Sequence, residues 1–301
     1  MKIGYFSING TGFVGAVFGE RVFNLSEAAS RIGNPVLSDL TSLLRQGRFK
    51  ITFLTELYNQ EKNHQKCWHP LENISFLPLL RPGKIICLGL NYVEHAREGN
   101  VPIPEEPIYF EKAVTSIIAH DQPVLYPPHV GRIDPEVELA FVIGKRARGV
   151  KEAEAGTYIA GYTILNDMTA RDLQRKDIGN RHTWYRSKSF DTFCPIGPWM
   201  VTSDEIGPQE PLRIQLRVNG EVRQNSSTRY LVFNVPTLLC RISELITLDP
   251  GDIISTGTPE GIAPVYPGDV MEAEIEKIGT LRNPVNPVRN SSRCDSKPSG
   301  A

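Results

Sequence analysis

The chain has 301 residues, 40% hydrophobic and 22% charged, with a formal net charge of −1. That is ordinary composition for a soluble globular protein of one large domain or two unequal ones. A balance this near neutral gives no sign of nucleic acid or an anionic membrane as partner.

The chain opens with short apolar runs, "KIGYF", "GFVGAVFG" and "RVFNL", broken by Gly and Asn, which predict strands. "VLSDLTSLLRQG" predicts a helix ended by Gly47, and the polar "LYNQEKNHQKCWHPLEN" predicts a loop-rich stretch. Pro78, Arg81, Pro82 and Gly83 mark a boundary before the strand "KIICLGL". Residues 1–80 are thus expected as a small β-rich N-terminal domain and 81–283 as the main domain. The Ser-, Pro- and Asn-rich residues 284–301 are expected as a disordered tail. "YIAGYTILND" and "RIQLRVNG" are strand-like, and "NVPTLLCRISELITL" is the best amphipathic helix.

Five scattered cysteines without a C-x-x-C predict reduced thiols and a cytoplasmic location. The N-terminus lacks a signal-peptide core, and no apolar run reaches the ~18 residues of a membrane span. P-loop and G-x-S-x-G patterns are missing from the sequence.

Chemistry concentrates in a few stretches. In "DPEVELAFVIG", side chains alternate along a strand, so Glu136 and Glu138 share one face while Val137, Leu139 and Phe141 share the other. Such a pair suits a solvated sheet face; it equally suits a divalent cation, which relieves the repulsion between neighbouring carboxylates. A cation needs a further ligand, and Asp167 ends the apolar run "AGYTILND", though Asp there also suits a helix N-cap.

Arg171 and Gln174 then lie three apart on a helical face, a fork and an amide suited to a substrate carboxylate or to plain solvent. In "GLNYVEHAREGN", His95 and Glu98 have the same spacing, so Glu98 can orient the imidazole on a short segment flanked by glycines. Lys188 precedes an apolar Pro-rich run, and Thr258 lies in the turn "STGTPEGI", where a hydroxyl and backbone N–H groups can face an anion.

Five blocks in order, "GLNYVEHARE", "DPEVELAFVIGKRA", "AGYTILNDMTARDLQ", "KSFDTFCPIGPW" and "GDIISTGTPEGI", resemble the fumarylacetoacetate hydrolase family over residues 83–283. The resemblance implies a β-rich α+β catalytic domain, with mixed sheets in a roll or sandwich and few helices, behind a small N-terminal domain. It also implies a homodimer. It assigns Glu136, Glu138 and Asp167 to Mg²⁺ or Mn²⁺, with Ca²⁺ an option, and His95 and Glu98 to a catalytic pair on a lid. Lys188 matches the family's active-site lysine, and Arg171, Gln174 and Thr258 match residues that contact substrate. The acid that fumarylacetoacetate hydrolase itself carries shortly before the lid histidine is missing from "ICLGLNY". The chain therefore resembles the smaller three-carboxylate branch of acylpyruvate hydrolases, diketo acid hydrolases, oxaloacetate decarboxylases and homoprotocatechuate-pathway isomerases.

What this implies is a metal-dependent enzyme acting on a 2,4-dioxo or 2-hydroxy-dienoate acid through a stabilised enolate. The leading expectation is C–C bond hydrolysis of an acylpyruvate-type substrate in breakdown of aromatic compounds or sugar acids, with an isomerase or decarboxylase as the alternative. The partners expected are a small keto acid and a second copy of the chain, with neither nucleic acid nor membrane. A non-haem iron oxygenase would want two His ligands, and only one of the six His lies in a block. A non-catalytic metal-binding module would have no use for His95, Lys188 and Arg171 together.

Overall fold

The computed structural model describes residues 1–34 and 37–288. Strands Lys2–Ile8, Thr11–Phe18 and Arg21–Asn24 form an antiparallel meander. Its first turn is Asn9-Gly10, both at positive φ (50° and 81°). That conformation matches the right-handed twist of a two-residue hairpin. Helices Leu25–Arg31 and Leu40–Arg45 follow, their first turns capped by Asn24 and Asp39. A third helix, Ile51–Glu61, runs into the stretch expected to be loop. Its amphipathic register explains the difference: Leu54 and Leu57 are buried, and Tyr58 packs edge-on against Phe23 and Trp68.

The N-terminal meander continues into the rest of the molecule. Lys2 and Ile3 pair with Val201 and Met200 of strand Cys194–Thr202. From there one mixed sheet passes through Ile159–Asn166, Val137–Ile143, Ile253–Ser255, Ile85–Gly89 and Ile108–Glu111. A second, five-stranded sheet has the order Glu221–Ser227, Arg213–Val218, Val270–Ile275, Gly279–Pro287, Val124–Tyr126. The fold is therefore β-rich α+β with few helices, as expected. Among the described residues no helix is long and apolar enough to cross a membrane.

Residues 284–287, expected as the start of a disordered tail, are strand instead. Strand Gly279–Pro287 carries Val285 into a parallel pairing with Val124, where it is buried; Pro284 lies opposite Val270 in the same ladder. Residues 289–301, the rest of the expected tail, lie outside the described residues.

Strand Val137–Ile143 lies at the centre of the large sheet and is buried on both faces. Leu139 and Phe141 join the core shared with Ile214, Leu216 and Ala273 of the second sheet. Ala140 and Val142 join the core beneath the N-terminal helices, with Ile3, Val14 and Leu40. A solvated face for Glu136 and Glu138 is thereby excluded. The face they share is interior.

Candidate active site

Antiparallel pairing of Val137–Ile143 with Ile159–Asn166 sets Val137 opposite Asn166. At that end the backbones lock: Asn166 Oδ1 accepts from Glu136 N–H at 2.9 Å, and Glu136 carbonyl accepts from Asp167 N–H at 2.8 Å. The next strand over supplies the turn after Ser255, in which Gly257 takes φ +92°, a conformation open to glycine. Its N–H then points at Glu138 Oε2, 3.0 Å away, alongside the Ser255 hydroxyl at 2.5 Å. The result is a cluster. One carboxylate oxygen from each of Glu136, Glu138 and Asp167 lies within 4.8 Å of the others, and the three residues are 4%, 1% and 0% exposed.

Three buried anions at that separation need positive charge. Lys188 donates from Nζ to Glu136 Oε2 at 2.8 Å and also to Asp167 Oδ2. Lys112, equally buried, donates to Asp167 Oδ1 at 2.5 Å. Arg171 bridges Glu136 Oε1 and Asp134 Oδ2. Burial pushes the Glu136 carboxyl up, but Lys188 and then Arg171 outweigh it and hold the group well below the usual carboxylate range. Lys188 is pushed down by burial and lifted further by Asp167 and Glu136, so it stays an ammonium.

Glu138 differs. Its hydrogen-bond donors are a hydroxyl and an amide, and burial followed by the charge of Asp167 drives its carboxyl well above the ordinary range. A set of hard carboxylate oxygens with one member short of positive charge fits a hard divalent cation such as Mg²⁺ or Mn²⁺.

A cleft of about 410 Å³ opens over the cluster, with His95, Gln174, Thr258 and Trp184 in its walls. His95 sits on the short helix Val93–Glu98, its Nδ1 3.4 Å from Glu98 Oε2. Glu98 is itself exposed and receives the Gly261 N–H at 3.3 Å, which ties the short helix to the loop after Thr258.

All nine residues singled out from the sequence thus belong to one region, but two have other contacts than expected. Arg171 gives Nε to Asp134, Nη1 to Gln174 and Nη2 to Glu136, so its fork is engaged inside the protein. The Thr258 hydroxyl donates to Val137 carbonyl at 3.0 Å and accepts from Gln224 Nε2 at 2.9 Å. It braces the turn against the strand that carries the acids. Lys112 and Asp134 escaped the sequence reading. A lysine closing the strand "IYFE" is a signal only once that strand is known to end at the cluster.

Residues 84–286 match the family described as fumarylacetoacetate (FAA) hydrolase, C-terminal. The chain belongs to the fumarylacetoacetate hydrolase family. Within it, the chain is 46% identical over 221 residues to a mitochondrial oxaloacetate tautomerase of Xenopus laevis, covering 71% of this chain and 69% of that one. The 5-carboxymethyl-2-hydroxymuconate delta-isomerase of Mycobacterium smegmatis superposes with TM-score 0.75 at 33% identity, over 96% of this chain and 100% of that one. The maleylpyruvate hydrolase of Sphingobium sp. SYK-6, solved with manganese(II) and pyruvate, does so with TM-score 0.79 at 29% identity and the same coverage. Family members so similar to this chain are enzymes of three reaction types: tautomerase, isomerase and hydrolase.

Proposed function

We propose that the chain is a metal-dependent enzyme that interconverts the enol and keto forms of a short 2-oxo acid, with oxaloacetate as the reference substrate. One observation carries this reading: two members of a buried three-carboxylate cluster, Glu136 and Glu138, line the same cleft as the His95 imidazole. Glu136, Glu138 and Asp167 would hold Mg²⁺ or Mn²⁺, which when bound supplies Lewis-acid stabilisation of an enolate oxygen.

The chain's own side chains do the rest. Lys188 and Lys112 orient Asp167, and Lys188 and Arg171 hold Glu136 charged and oriented. His95, oriented by Glu98, removes a proton from the carbon next to the 2-oxo group while the oxygen takes one up from solvent; in the reverse direction the enol oxygen gives its proton to solvent and His95 returns one to the carbon. Apolar walls formed by Leu88, Phe110 and Trp184 keep water from the carbanion. The likeness to the oxaloacetate tautomerase supports the choice of reaction.

Hydrolysis of a C–C bond in an acylpyruvate is the second reading. The His95–Glu98 pair favours it, since the same base could take a proton from water instead. The test is a panel of oxaloacetate, acetylpyruvate, fumarylpyruvate and 5-carboxymethyl-2-hydroxymuconate with Mg²⁺ or Mn²⁺. Loss of enol absorbance would be followed and the products identified by NMR. Metal-dependent ketonisation of oxaloacetate without cleavage is expected; cleavage of an acylpyruvate to pyruvate would select the second reading. No metal-dependent acceleration on any member would overturn both.

A further inference from the structure

A 2-oxo acid held at the cluster by its carboxylate and oxo group leaves its other end pointing along the cleft, and the residues there determine which tails fit. Two of the cleft's cations are engaged with protein acids: Arg171 with Asp134 and Glu136, and Lys188 with Glu136 and Asp167. Arg175 lines the same cleft on different terms. Its side chain is 64% exposed, and its ion-pair partner is the exposed Asp172 at 3.4 Å. An exposed pair of that length is weak and readily exchanged for a better partner.

The helix Arg171–Gly179 explains the placement. Arg171, Gln174, Arg175 and Ile178 recur at helical spacing and all line the cleft. Arg171 at the first turn touches Glu136, so Arg175 lies one turn, about 6 Å, farther along the helix. Val101, Phe110, Ile178, Trp184 and Ile262 supply apolar wall. A short carbon chain suits that wall, and a second anion suits the guanidinium beyond it.

We infer that Arg175 receives the distal carboxylate of a 2-oxo dicarboxylate and so selects dicarboxylates over 2-oxo acids with neutral tails. The inference rests on the reading above for the end of the substrate at the cluster. It makes Arg175 a specificity residue with no part in proton transfer.

The test uses two five-carbon probes, 2-oxoglutarate and 2-oxovalerate, which differ in whether the far end is a carboxylate or a methyl group. Binding to the Mg²⁺-loaded full chain is measured by calorimetry, which needs no turnover. The wild-type protein is expected to bind 2-oxoglutarate about tenfold more tightly, the scale of one charge-assisted hydrogen bond. Arg175→Gln should erase the ratio by weakening 2-oxoglutarate alone, and Arg175→Lys should restore part of it, both at unchanged Tm.

Equal binding of the two probes by the wild type, a ratio preserved in Arg175→Gln, or equal weakening of both probes would each overturn the inference. So would failure of 2-oxoglutarate to bind. If the ratio behaves as expected while the enzyme turns over nothing in the panel, the proposed reaction falls and the role of Arg175 stands.

Discussion

Glu138→Gln should make the metal-free protein more stable. The glutamine carbonyl can still accept from the Ser255 hydroxyl and the Gly257 N–H. The change removes one negative charge from a group of three whose oxygens lie within 4.8 Å. At that distance and an effective dielectric constant of ~20, each like-charge pair costs roughly 3 kcal/mol. Glu138 can escape by taking a proton, so the cost has a ceiling. Protonating a carboxyl of ordinary value 4.5 at pH 7 takes about 3 kcal/mol.

A gain of about 1–3 kcal/mol follows, or roughly 2–5 °C in Tm for a chain of this size. Its pH dependence has a definite sign. The Glu138 carboxyl is raised in the folded state, so its contribution to wild-type stability is fully present below about pH 4.5 and is lost as pH rises toward the folded-state value. The advantage of Glu138→Gln should therefore be small at pH 5 and grow toward pH 8. Thermal melts in a chelator over that range measure it. Added Mg²⁺ or Mn²⁺ should reverse the order by stabilising the wild type through mass action and the variant much less. A variant less stable than the wild type at pH 8 without metal would refute the picture of a carboxylate short of positive charge.

Three further outcomes are expected. His95→Ala should leave metal affinity by calorimetry nearly intact while kcat falls by about 10²–10⁴, and Glu98→Gln should cost less; wild-type kcat in His95→Ala would make the imidazole a bystander. Lys112→Met removes one of the two ammoniums on Asp167, so the metal-free protein should lose about 2–3 kcal/mol in chemical denaturation, less than for an isolated buried pair because Lys188 remains; an unchanged unfolding midpoint would count against the clamp. Thr258→Val should lower stability by about 1–3 kcal/mol, because Val137 carbonyl and Gln224 lose a buried partner; a raised KM at unchanged stability would mean that the hydroxyl serves substrate instead.

The sequence by itself carried the local facts. Period-two alternation put Glu136 and Glu138 on one face, helical spacing joined His95 to Glu98, and five ordered blocks named the family. Gly and Asn breaks located the meander, and Gly47 the end of one helix, because such residues act within a few positions of where they stand.

Tertiary structure decided what depends on residues far apart in the chain. Whether the Glu136–Glu138 face met water or core depended on Ile3, Val14 and Leu40, all more than ninety positions upstream. Period two fixes which side chains share a face; it is silent on what packs against that face. Lys112 is 55 residues from Asp167, and Ser255 is 117 from Glu138, so no local pattern predicts either contact. Arg171 read as a free fork because the sequence shows a charged group and not its partners. Only the folded chain brings Asp134 and Glu136 within reach and leaves Arg175, one turn on, exposed in the cleft.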